Sequence, residues 1–147
     1  MDPHYAYANA VGGTMCFQRV ANGLGDADDV RAGLVFAEQA LIDGGANALV
    51  LSWSGVALGY LGCRVQGVPV IGFRYDEARR AVERALSLGP NLMEVQFGAG
   101  MIRLILGEGD AALGHFERAM RMSPLDPETG CVRCRHGPGA LDIGPGP

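Results

Sequence analysis

Apolar positions along the chain fall into stripes with helical spacing. Ala78, Val82, Ala85 and Leu86 stand at i, i+4, i+7 and i+8, with Arg79, Arg80, Glu83 and Arg84 between them. That is the pattern of a helix that buries one side and solvates the other. Ala112, Phe116, Ala119 and Met120 repeat the stripe 34 residues later, and Pro90 returns as Pro124. Alanine lets two helices approach closely, and Val82 or Phe116 fills the gap between them. A proline just past each stripe cannot continue that helix and can open the next. Stripes, turns and cap signals together predict helices near 4–22, 27–43, 47–62, 75–88, 91–107 and 109–122. Asp26, Asp28 and Asp29 favour the start of the second helix, and Asn47 can cap the third. Asp76 with Arg80, Arg79 with Glu83 and Glu117 with Arg121 are spaced for ion pairs on solvated faces.

The other helix of each pair needs a small residue where it crosses its partner and a glycine at its turn. Gly100 and Gly107 supply these marks in the last pair. Gly55 and Gly62 supply them one pair earlier, now 45 residues away; Ala40 and Gly45 precede Ala85 and Pro90 by the same 45. Both marks place about 11 extra residues between Gly62 and Ala78, within 63–73. This segment lengthens the connection between the two helices of the middle pair. Its Val68–Pro–Val–Ile71 run is extended in character, but Gly67, Pro69 and Gly72 oppose a stable strand. A first pair is marked by Gly33, Ala37, Ala40 and Gly45.

These residues resemble the tetratricopeptide repeat, whose pattern is W-x2-L-G-x2-Y followed by A, F, A and P. The last repeat has Gln96 at the tryptophan, Ala99–Gly100 at the Leu-Gly pair and Arg103 at the tyrosine. The middle repeat has Leu51, Ser54–Gly55 and Leu58 there, with Trp53 and Tyr60 two residues off the aromatic sites. The resemblance implies an all-α fold: a right-handed α-solenoid of antiparallel helix pairs, about three repeats long, over residues 1–127. A second resemblance rests on Tyr5–Ala–Tyr–Ala–Asn–Ala10, Gln18–Arg–Val–Ala–Asn–Gly23 and Phe116 to Pro127. These stretches are similar to the repeat region of bacterial adenylate cyclase-like and winged-helix signalling proteins. No cyclase or winged-helix segment is present, so neither activity carries over.

Composition narrows the picture further. At 147 residues and 48% hydrophobic, with 7% aromatic, the chain has enough apolar surface for one domain with a modest core. A net charge of −4 gives no basic footprint for nucleic acid. The uncharged run from Gly44 to Cys63 contains Gly55-x3-Gly59, a spacing used by membrane helices. Its five glycines, Asn47, Ser52 and Ser54 fit a buried repeat helix better than a membrane span. The start lacks a basic segment ahead of an apolar one, so the expected location is cytoplasmic. Residues 128–147 hold repeated Gly and Pro without an apolar stripe and read as a flexible tail. The last repeat is therefore uncapped, and a second chain can cover its open face.

Candidate chemistry is sparse. Cys131-x2-Cys134 and His136 offer three soft ligands, but a structural zinc site needs a fourth and no second pair exists. Gly107–Glu–Gly–Asp110 lacks the lysine and serine of a phosphate loop. His4, His115 and His136 lie far apart, with His115 expected at the surface of the last helix. No nucleophile has a base and an orienting acid beside it. The reading is a non-enzymatic scaffold with no cofactor and no metal, whose partner is a protein or peptide and neither nucleic acid nor membrane. The alternative is a regulatory repeat fragment of an adenylate cyclase-like or transcriptional signalling protein. In the family the first helices line the concave face. Its groove positions fall on Leu49, Ser52, Val56 and Gly59 in the middle repeat and on Glu94, Phe97, Met101 and Leu104 in the last. The same apolar places serve equally as core in so short a stack. The clamp that grips chaperone C-termini needs Lys, Arg and Asn there, and none is present.

Deleting 11 residues within 63–73 restores the 34-residue spacing. The shortened chain should keep its far-ultraviolet circular dichroism spectrum, and a loss of helical signal would show that the segment packs as structure.

Overall fold

The computed structural model describes residues 3–63 and 73–122, and these form six α-helices with no strand among them. They are α1 (Pro3–Ala21), α2 (Ala27–Asp43), α3 (Ala48–Gly62), α4 (Phe73–Leu88), α5 (Met93–Ile105) and α6 (Gly109–Met122). Each lies within two residues of its expected bounds, and the all-α class is as expected. The interior of the 63–73 segment and the tail beyond Met122, with Pro124, Cys131, Cys134 and His136, lie outside the described residues.

Local chemistry sets the helix ends. The Asp26 carboxylate accepts from the backbone N–H groups of Asp28 and Asp29, and the Asp29 carboxylate accepts in return from the N–H of Asp26. This reciprocal box satisfies donors the helix itself leaves open. Asn47 caps α3 through the N–H groups of Leu49 and Val50. α1 and α5 end alike. Gly23 and Gly107 have φ of 74° and 78°, a left-handed turn that glycine adopts without strain. The N–H of Leu24 then reaches back to Arg19 O, and that of Glu108 to Arg103 O. These bonds close the last turn and reverse the chain.

Three antiparallel hairpins result: α1 with α2, α3 with α4, and α5 with α6. The same contact recurs at the centre of each. Gly13 lies against the backbone of Gly33 and Ala37. Gly55 lies against Val82 and the carbonyl of Ala78, and Gly100 faces the ring of Phe116. A Cβ on Gly55 would sit 2.9 Å from Val82 Cγ2, and one on Gly100 2.5 Å from the Phe116 ring. Gly55 and Gly100 leave no room for a side chain at these points, whereas a Cβ on Gly13 would make ordinary contacts at 3.5 Å.

Hairpins then lie side by side. α3 touches α1, α2, α4 and α5, so it is the hub of the domain. The row α1, α3, α5 runs in one direction. Gly13 approaches Ala57 while Phe17 meets Tyr60, and Gly98 approaches Ser52 while Gly59 meets Ile102. Buried position explains why α3 carries no charge at all: Val50, Leu51, Ser52, Ser54, Val56, Ala57, Leu58 and Leu61 are all covered. Val56, Ala78, Val82, Ala99, Met101, Ile102, Ala112 and Phe116 form one core cluster, and Val30, Leu34, Ala37, Ala57, Leu58 and Leu61 another. Of the eight stripe residues, Ala78, Val82, Ala85, Ala112, Phe116 and Ala119 are buried, and Leu86 and Met120 are half-buried.

Charges pair differently from the helical spacing. Arg79 reaches Glu108 at 3.2 Å rather than Glu83, and Glu83 pairs with Arg103 at 3.5 Å. Neither Asp76 with Arg80 nor Glu117 with Arg121 is among the ion pairs of the described residues. Arg74 at the start of α4 pairs with Glu38 of α2. Side chains at i and i+4 gain only a few tenths of a kcal/mol from pairing. A partner on a packed neighbour within reach of a half-buried guanidinium competes well against that.

Phe116→Ala should cost about 3–5 kcal/mol in chemical denaturation, because it empties the junction of α5 and α6. Gly100→Ala should also destabilise, by about 1–3 kcal/mol, although alanine favours an isolated helix. Combining the two should give less than the sum of the single losses, since the small side chain at 116 leaves room for the new methyl.

Candidate functional site

Along the row α1, α3, α5, the residues singled out from the sequence separate by accessibility. Ser52, Val56 and Met101 are 0%, 7% and 7% exposed, so they belong to the interior. The Ser52 hydroxyl donates to the Glu94 carbonyl at 3.0 Å and thereby pins α5 to α3. Val56 and Met101 share a core cluster with Phe116. Leu49, Glu94 and Phe97 are half-buried, and Leu104 is 40% exposed. The eight positions therefore do not form one continuous open stripe. The middle set, Ser52, Val56 and Gly59, is the face on which α5 is seated: Gly98 rests on Ser52 and Val56, and Ile102 on Gly59. The last set, Glu94, Phe97, Met101 and Leu104, occupies the matching face of α5, 45 residues further on. No further helix of the described residues is seated there. Its covering comes in part from within its own hairpin, where the Phe97 and Phe116 rings stand 5.7 Å apart between centroids.

Two aromatic pairs hold the other end of the row. Tyr7 tilts against Trp53 at 5.6 Å, and Phe17 meets Tyr60 edge-on at 4.9 Å. Offset and edge-on ring pairs of this kind add about 0.5–1.5 kcal/mol beyond area burial. Trp53 and Tyr60 of α3 thus face α1. The signal was the recurrence of Tyr7 and Phe17 on α1, visible only once α1 and α3 are known to run parallel.

Two polar groupings border the α5–α6 hairpin. Glu108, in the turn between its helices, accepts from Arg103 at 2.6 Å and from Arg79 of α4 at 3.2 Å. The hydrogen bond to Arg103 holds its carboxyl below the usual range. On the opposite flank buried Gln96 donates to the Pro90 carbonyl at 2.7 Å, leaving Oε1 to accept from His115 Nδ1 at 2.8 Å. His115 is half-buried, not at the surface as its sequence position suggested. Burial, with Arg118 and Arg103 near, pushes its basicity down.

Near the end of α3, the Cys63 thiol lies 3.0 Å from the Gly59 carbonyl and 2.7 Å from the Tyr75 hydroxyl. The thiol contact and burial push Tyr75 up to about 12, which keeps the phenol protonated at neutral pH. Among the described residues no three His, Cys, Asp or Glu side chains are grouped to hold a metal ion, and no helix is long and apolar enough to cross a membrane. Comparison with protein-family models gives no match, and comparison with the curated proteins gives none either.

Because its folded-state basicity is depressed, His115 opposes folding only once it must take a proton. Its contribution is intact above its ordinary value of 6.5 and is lost as pH falls below it. Thermal midpoints should drop as pH falls from about 6.5 toward 5, and His115→Gln should flatten the profile over that interval.

Proposed function

We propose that this chain is a non-enzymatic protein-interaction scaffold, an α-solenoid of three tetratricopeptide-like hairpins. The observation that carries the reading is the recurrence of one contact at equivalent places in all three hairpins: Gly13 on Gly33 and Ala37, Gly55 on Ala78 and Val82, Gly100 on Phe116. A fold that repeats its own hairpin junction presents a run of parallel helices as an extended surface, and such surfaces are used for binding. The acceptor side chains on that run are Leu49, Glu94, Phe97 and Leu104. Phe97 and Leu104 offer apolar area, while Glu94 selects a basic or amide group beside it. Ser52, Val56 and Met101 support these residues from beneath. The partner is a short helix or extended segment with apolar anchors, held at the micromolar strength of transient recognition.

A displayed random-peptide library selected on the purified chain tests this. Apolar peptides carrying a basic or amide residue should be enriched and bind at about micromolar Kd. Leu104→Ser with Glu94→Lys should abolish that binding with helicity and melting unchanged. Selection of no peptide, or binding indifferent to this pair of changes, would sink the proposal.

A further inference from the structure

We propose a second docking site, in the groove between α2 and α4, for an acidic peptide segment that inserts one apolar side chain. Both helices pack on α3. The groove they leave is lined by Leu41 of α2, Leu51 of α3 and Glu77, Arg80, Ala81 and Arg84 of α4. Leu51 and Ala81 are buried and Leu41 is half-buried, so the floor is apolar. Glu77, Arg80, Ala81 and Arg84 fall at i, i+3, i+4 and i+7, so one face of α4 forms a wall. The groove has a volume of about 190 Å³. Sites for drug-sized ligands run from about 300 to 1,000 Å³, so this space suits a single side chain of a larger partner. It lies between the first and second hairpins, not at an end of the array.

Charge selects the partner. Arg74, Arg79 and Arg103 each reach a carboxylate on another element: Glu38, Glu108 and Glu83. Arg80 and Arg84 are exposed and have no such partner among the described residues. Nearby acids on α2 are already engaged, Glu38 by Arg74 and Asp43 by Gln39. The chain as a whole carries −4, so two uncommitted guanidiniums above an apolar floor are a local exception. Residues at i and i+4 have Cβ atoms about 5–6 Å apart, within the span of one carboxylate or of two successive acids. Glu77 stands two turns from Arg84, about 10 Å along the axis, and repels acid at its own end. The groove therefore has polarity: the carboxylate lies toward Arg84, and the apolar side chain enters among Leu41, Leu51 and Ala81. Exposed ion pairs contribute little by themselves. Affinity accordingly comes from the anchor, and selectivity from the arginines. Leu49, Glu94, Phe97 and Leu104 take no part in this site.

Fluorescence anisotropy of the full chain with two labelled peptides tests this, one reading Gly-Ser-Leu-Asp-Glu-Gly and the other the same residues in reverse order. At least one should bind with a Kd of about 10–300 µM. Serine in place of its leucine should weaken binding by about tenfold, and lysine in place of both acids should abolish it. Arg80→Gln and Arg84→Gln should each weaken binding by about two- to fivefold with unchanged circular dichroism. Arg121→Gln, at an exposed arginine on the last turn of α6, should bind as the parent does. Leu104→Ser with Glu94→Lys should also leave this binding unchanged, which keeps the two sites distinguishable. Binding by neither peptide up to about 1 mM would overturn the proposal. So would indifference to the leucine, an equal loss with Arg121→Gln, or a loss with the Leu104 and Glu94 pair, which would move the peptide to the α5 strip.

Discussion

The close approach of a glycine on each odd helix to the even helix of its hairpin governs the rest of the molecule. At Gly55 and Gly100 the space where a Cβ would stand is already taken by Val82 and the Phe116 ring. With backbones this near, the core needs few large side chains. Its fully buried members are led by Leu58, Leu61, Val50 and Val95, and much of the remainder is alanine. Stabilisation then comes from many short-range contacts between small groups, each about 0.1–0.2 kcal/mol per atom pair. Such a core has little slack, and one added methyl is felt directly.

Close packing also dictates where polar groups are placed. α3 is surrounded, so it carries no acidic or basic side chain between Ala48 and Gly62, and the Ser52 hydroxyl donates a hydrogen bond to the Glu94 carbonyl. Charges gather at hairpin junctions instead. Glu108 joins α4 and α5 through Arg79 and Arg103, and Glu38 joins α2 and α4 through Arg74. These groups are partly exposed, so each pair contributes little to stability alone. Their more definite effect is on register, since each links helices that the chain joins only through turns.

The internal geometry also separates two kinds of apolar residue that look alike along the chain. Gly59 and Leu104 occupy equivalent places on α3 and α5, but Gly59 is covered by Ile102 of the next hairpin while Leu104 is 40% exposed. Val56 and its counterpart Met101 are both buried, and Met101 shares its core cluster with Phe116 of its own hairpin. Among the described residues the strip is therefore covered along α3 and open on α5 only toward its end.

Helix limits, pairing and the lengthened middle connection were legible in the sequence because each has a local cause. Asp26 and Asn47 satisfy open N–H groups, Gly107 adopts a left-handed turn, and a stripe with helical spacing marks a buried side wherever the partner lies. The equivalence of Gly55 with Gly100 and of Val82 with Phe116 was legible for the same reason: a close crossing restricts residue size at one point on each helix. Which face of α3 meets α1 and which meets α5 was not legible. A helix without charge has no solvated side to orient it, so Ser52 and Val56 read as an open groove as readily as a core. The ion partners of Arg79 and Glu83, the burial of His115 and the aromatic pairs of Trp53 and Tyr60 were likewise decided only by packing. In each case the competing partner sits on a different helix, and only the tertiary fold brings it within reach.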